Sequence, residues 1–313
     1  MSFAQECKTE IANVLISDKN QIKVELEALL RLSAEVILRD LKFIVQFESA
    51  NAMTSRRVLS FIKTLYQSET ELNTRQVKKL NQGIHYQVVV LTHNDEIIKD
   101  FNLLADNLNK DNINASDDLK KSYLRGAFLA RGSINDPLKG DYHLEIATTS
   151  QEESLFIQHL MVSFELNAKI VKRRNDFVIY LKDVSEISDF LRIIGASNKV
   201  FELDELVIKR EYKTNIQRQM NAEIANQIKT LSAAKKQIYY IHTIEYNYPL
   251  EKLDPGILMV MKLRLENKEA SLTELIEIME KDYKIHITKS GINHRFMRIK
   301  EIAEQILNGN KEN

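Results

Sequence analysis

Apolar residues recur along most of this chain at three- and four-residue spacings, interrupted by short stretches of alternation. That pattern predicts amphipathic helices separated by β-hairpins. Phe3 to Leu15 and Ile22 to Ala34 carry helical spacing. Val36, Ile37 and Leu38 run into a turn near Asp40, and Leu41 to Phe47 form the returning strand. Residues 53–66, "MTSRRVLSFIKTLY", are predicted helical with Val58, Phe61, Ile62 and Leu65 on one face. Strands follow near 71–77 and 84–91, and "NDEIIKDFNLLADN" predicts a helix with Asn94 as its N-cap.

From Ser116 the order repeats. Ser116 opens a helix through Ala130, and "GSIND" with "YHLEIATTS" predicts a hairpin. "SQEESLFIQHLMVSF" reads as a helix capped by Ser150, with Glu153 placed for a capping box. "AKIVKRRNDFVIYL" is a hairpin turning at Asn175–Asp176, and the helix from Val184 to Ile194 closes on Gly195. The economical reading is a duplicated unit whose halves each form a four-stranded antiparallel sheet with helices on one face, an α+β layer. After Leu206 the texture becomes unbroken helix, with Ile216, Met220, Ile224 and Ile228 four apart. "EYNYPLEKLDPG" supplies two prolines and a glycine and reads as a connection, beyond which 257–307 is all helical. The expected domains are a first repeat at 1–115, a second at 116–208, a basic helical linker at 209–250 and an all-α domain at 251–308.

Composition narrows the class. A chain of 313 residues, 44% hydrophobic with only 8 Gly and 3 Pro, suits two or three folded domains rich in regular structure. No apolar run approaches the ~18 residues of a membrane span. The start, "MSFAQECKTEIANV", carries Glu6 and Glu10 and lacks the regions of a signal peptide; Cys7 stands alone. The expectation is a soluble protein of the cytoplasm. Formal charge balances at 44 against 44, but its distribution is uneven. Residues 209–240 hold Lys209, Arg210, Lys213, Arg218, Lys229, Lys235 and Lys236 against Glu211 and Glu223. Residues 281–300 are similarly basic, with Asp282 as the sole acid. Two basic segments in a neutral chain point toward phosphate, although such runs are more often solvated helix faces.

The second basic segment has a motif. "EASLTELIEIMEKDYKIHITKSGINHRFMRIKEIAEQIL" reads as helix-turn-helix over about 271–303. Ser271 caps the first helix, with Glu274 completing a capping box, and Leu272, Leu275, Ile276 and Met279 face inward. "DYKIHI" is the turn, and Thr288 caps a second helix whose apolar stripe is Ile292, Phe296, Ile299, Ala303 and Ile306. The wheel turns Ser290, Asn293, His294, Met297 and Arg298 away from that stripe, with Lys289 and Arg295 on its flanks. Those types suit a major groove: Arg to guanine, Asn to adenine, Lys and Ser to phosphate. The Gly291 N–H sits in the first turn, where a phosphate could approach. The preceding helix, 254–266, is expected to pack Leu258, Met261 and Leu265 against the pair, a three-helix layout similar to the sigma-factor region that reads the −35 element. The expected DNA contacts are Lys289, Ser290, Asn293, His294, Arg295 and Arg298, with Ser271 at the first helix and Arg218 in the linker. A helical hairpin binding protein through its polar face is the bland alternative.

No catalytic constellation competes. The seven histidines show no metal-ligand spacing, and no phosphate-binding glycine fingerprint occurs, so no cofactor and no metal are expected. "YLRGAFLARGSI" carries a further signal, because Gly126 interrupts an otherwise apolar helix at a cost of ~1 kcal/mol relative to Ala. The stretch Leu124 to Gly132 resembles the LAGLIDADG helix of homing endonucleases and their maturase relatives. The resemblance implies two such helices packed face to face, with small residues letting the backbones approach. Gly126, Ala127 and Ala130 take that role here, facing a partner near Leu26 to Leu38 with Ala28, Ser33 and Ala34. In active endonucleases each helix ends in an acid, and the two acids hold divalent metal for phosphodiester hydrolysis. Here those positions fall on Arg131 and, within a residue or so, Ser33, with Glu35 and Asp136 lying past the helix ends. Arginine cannot ligate a metal. The resemblance therefore implies a duplicated LAGLIDADG-like fold, two αββαββα-type repeats, without nuclease chemistry; a metal-dependent endonuclease is the rival that these two positions oppose.

Over essentially the whole chain the sequence resembles the WhiA family of Gram-positive bacteria. The carrying stretches are "SFAQECKTEIANV", "YLRGAFLARGSINDPLKGDYHLEIAT", "NIQRQMNAEIAN" and "ITKSGINHRFMRIKEIAEQI". In the third, Arg218, Asn221 and Asn226 match a segment in which the family usually shows more arginine. The resemblance implies a non-enzymatic regulator that binds double-stranded DNA and acts in transcription control. It further implies roles in cell division and chromosome segregation, and in sporulation among filamentous relatives. It places the protein at the nucleoid in the cytoplasm, away from membranes, with RNA polymerase or another regulator as the candidate protein partner.

Overall fold

Ser2, Asp18 and Asn51 each precede an apolar-periodic run, and each side-chain oxygen accepts a backbone N–H of the helix that follows. In the computed structural model of the chain, which describes residues 2–77, 83–105 and 110–309, these caps open α1 (Phe3–Ala12), α2 (Lys19–Ser33) and α3 (Ala52–Tyr66). Between α2 and α3 lies the hairpin β1 (Ala34–Arg39) and β2 (Lys42–Ser49), and after α3 come β3 (Thr70–Val77), β4 (Gly83–Val90) and α4 (Asn94–Asp100). A short α5 (Lys110–Asn114), which the sequence pattern did not indicate, precedes α6 (Asp117–Arg131). The order then recurs: β5 (Gly132–Ile134), β6 (Leu144–Thr148), α7 (Gln151–Val162), β7 (Lys169–Arg173), β8 (Asp176–Leu181) and α8 (Val184–Ile194).

Both sheets are antiparallel and share one strand order, β1-β2-β4-β3 and β5-β6-β8-β7. Each half is thus an αββαββα unit, as the duplicated pattern predicts. Alternation sets which face each strand buries. Val45, Phe47, Val88 and Val90 go into the core, while Gln46, Gln87 and Val89 between them do not. In the first hairpin Arg39 pairs with Lys42, leaving Asp40 and Leu41 as a two-residue turn, both at positive φ (49° and 62°).

Four local expectations are corrected. Asn94 does not cap α4: His93 occupies the N-cap position with φ 61° and no side-chain cap bond. The Asn94 amide is used elsewhere, its oxygen accepting the Val45 N–H (2.8 Å) and its nitrogen donating to the Val90 carbonyl (3.0 Å), which ties helix to strands. The helix also stops at Asp100, and residues 106–107 of the expected stretch lie outside the described residues. The turn of the β7–β8 hairpin is Arg174–Asn175, one residue earlier than expected, because Arg173 pairs with Asp176. Glu153 forms no capping box. Ser150 caps α7, but the Glu153 side chain is buried and turns inward.

The destination of that side chain defines the centre of the fold. Helices α2 and α6 pack along their length. A Cβ on Gly126 would stand 2.4 Å from the Glu25 carbonyl oxygen and 2.9 Å from the Ala28 Cβ, so only glycine permits this approach. Two buried ionic clusters flank the seam. On one side the Glu25 carboxylate, fully buried, accepts from Arg57 of α3 (2.5 and 3.1 Å) and Arg125 of α6 (3.1 Å). The remaining donors of these arginines meet the carbonyls of Ala12, Val14 and Ile194. On the other side Glu153 of α7 accepts from Arg31 of α2 (3.0 Å) and from the Tyr123 hydroxyl of α6 (3.1 Å). Arg31 also donates to the carbonyls of Phe101 and Asn102.

The chain divides into two compact units, one ending at Arg210 and the other beginning at Glu211; the division falls inside a single helix, α9 (Ser197–Asn247). In the second unit a 3₁₀ turn (Leu250–Lys252) leads to α10 (Pro255–Glu266), α11 (Leu272–Tyr283) and α12 (Lys289–Gly309). Within the stretch 209–250 that the sequence sets apart as linker, Ile241 and Ile244 are buried in one core with Leu253, Val260, Leu275, Met279, Ile292, Phe296 and Ile299. The apolar spacing at the end of α9 continues into that core. Earlier on the same helix Ile216, Met220, Ile224 and Ile228 are 39–61% exposed. On α10 the buried apolar positions are Val260, Met261 and Leu263, with Leu258 and Leu265 only partly covered.

Candidate nucleic-acid interface

Ser271 and Glu274 form the predicted capping box: the Ser271 N–H donates to the Glu274 carboxylate (2.6 Å) and the Glu274 N–H to the Ser271 hydroxyl (3.2 Å). These bonds, the backbone one foremost, hold the Glu274 carboxyl below its usual range. The box is therefore present at neutral pH and is lost as acid protonates it. Helix α11 keeps Asp282 and Tyr283, which the sequence assigns to the turn, and ends on Lys284 at φ 58°. Thr288 then opens α12, its hydroxyl accepting the Gly291 N–H (3.1 Å). That bond corrects the expectation that the Gly291 N–H awaits a phosphate, since the cap already uses it. Ser271→Ala is expected to lower stability of the second unit by about 1 kcal/mol, read by denaturant unfolding. DNA affinity falling beyond what unfolding explains would show that Ser271 also touches phosphate.

Helix α12 buries Ile292, Phe296, Ile299 and Ala303 and exposes the opposite face. Lys289, Ser290, Asn293 and His294 are exposed, and their side chains have no partner among the described residues. Met297 is exposed beside them. The two arginines differ. Arg295 is half-buried, with its guanidinium folded over the start of α10: Nη1 stands 3.5 Å from the Gly256 carbonyl oxygen, and a Cβ on Gly256 would lie 2.9 Å from Cζ. Arg298 is exposed but pairs with Glu301 one turn on (2.8 Å). Arg218 is exposed on α9, apart from this cluster in sequence and unpaired among the described residues.

Arg264 is a residue the sequence pattern did not single out. It is only 2% exposed; Nη1 donates to the carbonyls of Asn267 (3.1 Å) and Ala270 (2.6 Å), and Cζ lies 5.4 Å from the centre of the Phe296 ring. It ties the α10–α11 turn to the underside of α12, and burial lowers its pKa. An arginine in the last turn of a helix ordinarily reads as a solvated cap, which is why no sequence signal marks it.

In the first unit, α2 ends on Ser33 and α6 on Arg131, with Ala34 and Gly132 as C-caps. The donor set does not suit a divalent cation. These ends offer a hydroxyl and a guanidinium, neither of them a carboxylate, and Lys8 of α1 adds a second cation beside Phe128. Glu35 lies in β1, and Asp136 is engaged with the Leu138 N–H (3.0 Å) and the Lys139 ammonium (3.3 Å). Among the described residues no group of three or more His, Cys, Asp or Glu converges as a metal centre would, and no helix is long and apolar enough to cross a membrane.

Three family models match this chain. They are the WhiA N-terminal LAGLIDADG-like domain over residues 19–104, the WhiA LAGLIDADG-like domain over 120–213 and the WhiA C-terminal helix-turn-helix domain over 216–303. Relatives include the probable cell division proteins WhiA of Staphylococcus saprophyticus (36% identical) and Staphylococcus epidermidis (37%). Each alignment covers 99% of this chain and 98% of the relative. Among solved structures, full-length DUF199/WhiA from Thermatoga maritima superposes with a TM-score of 0.61 at 28% identity, covering 97% of this chain and 99% of that one.

Proposed function

Because the chain belongs to the WhiA family, we propose that it is a DNA-binding regulator without nuclease activity, reading duplex DNA through α12. The observation that carries the reading is the exposed row of Lys289, Ser290, Asn293 and His294, unpartnered among the described residues, on a helix capped by Thr288 and backed by Arg264. Unpaired polar groups on a rigid helix offer donors and acceptors to base edges without prior rearrangement. Arg298 also holds Glu301 and Arg295 reaches the Gly256 carbonyl, each through one Nη1, so these two meet DNA through their remaining donors or by exchange of partners. Ser271 and Arg218 are assigned to phosphate. The relatives' name supports a role in cell division. Within that role we place transcription control and chromosome segregation at the nucleoid, sporulation in filamentous relatives, and RNA polymerase or another regulator as the protein partner.

Asn293→Ala is expected to weaken specific binding by about 1–3 kcal/mol and to relax the preference at one base pair. Lys289→Ala should weaken all sequences alike and reduce the salt slope by about 1. Gel shifts across a salt series measure both, and unchanged binding in both variants overturns the assignment of α12. Retention on duplex DNA that is absent at every salt concentration would favour a protein-binding adaptor instead. Incubation of duplex with the full chain and Mg²⁺ or Mn²⁺ is expected to leave it uncut; cleavage would restore the endonuclease reading.

A further inference from the structure

Lys8 stands on α1 with its ammonium 6.0 Å from the centre of the Phe128 ring. It is partly buried and has no hydrogen-bond or ion-pair partner among the described residues. Arg131 follows Phe128 by one turn of α6; its carboxylate neighbour, Asp176, is 3.8 Å away, at the limit of an ion pair and 40% exposed. Burial, with Arg131 second, pulls the Lys8 amine down to about 8. The nearby acids are engaged elsewhere. Glu6 pairs with Lys199 (2.6 Å), Glu10 accepts the N–H groups of Asn198 and Lys199, and Asp136 is taken by Leu138 and Lys139. Of these two neighbouring cations, Lys8 is left without an anionic partner among the described residues, and Arg131 has Asp176 at 3.8 Å as its ion-pair partner. Burial of a charge in that state is costly, and a ligand of opposite sign relieves it.

We propose that Lys8 and Arg131 form a phosphate-binding site at the end of α6. The place from which an acidic pair and a metal would act in a cutting relative would then grip a phosphate directly through cations. The ligand chemistry is a phosphate group, either of a DNA backbone or of a small free anion. The site is separate from α12 and rests on the DNA-binding reading only for the first of these sources.

Calorimetric titration of the full chain with inorganic phosphate at fixed ionic strength tests the free anion, and the salt slope of duplex binding tests the backbone. Lys8→Met keeps the buried stem and Arg131→Gln keeps the length, while Lys19→Met controls for loss of one exposed charge. Saturable phosphate binding lost in both site variants and kept in the control supports the site. A slope shallower by about 0.9 per lost contact in the site variants alone assigns it to the backbone. Phosphate binding lost with slopes unchanged assigns it to a free anion. No saturable binding together with slopes equal to wild type overturns the proposal, as does loss equal to that of Lys19→Met. Wild-type protein that binds phosphate but no duplex would defeat the DNA-binding reading and leave this site standing.

Discussion

Glu25→Ala is expected to destabilise the first unit by about 3–5 kcal/mol, the range for removing one partner of a buried ion pair. For a unit of this size that corresponds to a fall in unfolding temperature of roughly 6–20 °C. The size follows from what remains. Arg57 and Arg125 are both buried and both aim at the missing carboxylate, while their other donors are tied to the carbonyls of Ala12, Val14 and Ile194. Neither can swing to water without abandoning those carbonyls, so two charges stay in a poor medium without a counter-charge. Differential scanning calorimetry of the full chain reads the effect as a shift of the first unit's transition, with that of the second unit unmoved. A shift equal to that of an ordinary surface substitution would mean that the arginines reach solvent and that the cluster does not hold the seam.

Gly126→Val is expected to reach or exceed the top of the ~1–3 kcal/mol range for overpacking, and Gly126→Ala to show the same effect in smaller measure. Alanine gains about 1 kcal/mol of helix propensity over glycine. A surface glycine would therefore be improved by the change. Here the new Cβ meets the Glu25 carbonyl oxygen at 2.4 Å. That atom belongs to the backbone of α2 and cannot yield without moving the helix. Valine adds two methyl groups at the same point. Urea unfolding with an unchanged m-value and a lowered midpoint measures both changes. A midpoint raised by Gly126→Ala would show that the helices are not in backbone contact.

What could be read from the chain, and what could not, divides along a physical line. Gly126 was legible because glycine in an apolar helix is costly and asks for a reason. The helix-turn-helix was legible because Ser271, Glu274 and Thr288 act on their own neighbours, at separations of three residues. Glu153 misled because the same local rule offered it a role beside Ser150, while Arg31 and Tyr123, 122 and 30 residues away, compete for it more strongly. Asn94 misled for the same reason, its amide being claimed by two strands. The wheel correctly turned Asn293 and His294 outward. It could not show that Arg295 folds back on Gly256 or that Arg298 meets Glu301, since direction from an axis does not specify a partner. Arg264 had no signal at all, because its role depends on the packing of three helices.

The two buried clusters also bear on how the duplicated architecture can be cut apart. The acid at Glu25 lies in one copy and is answered by Arg125 of the other, while the acid at Glu153 lies in that other copy and is answered by Arg31 of the first. Arg57 and Tyr123 answer these acids from within their own copies, but a severed first half leaves Arg31 without Glu153 and a severed second half leaves Arg125 without Glu25. A severed half would expose or strand an ionised group along the surface where it is most apolar. The two copies are therefore complementary in charge across their seam and not interchangeable there.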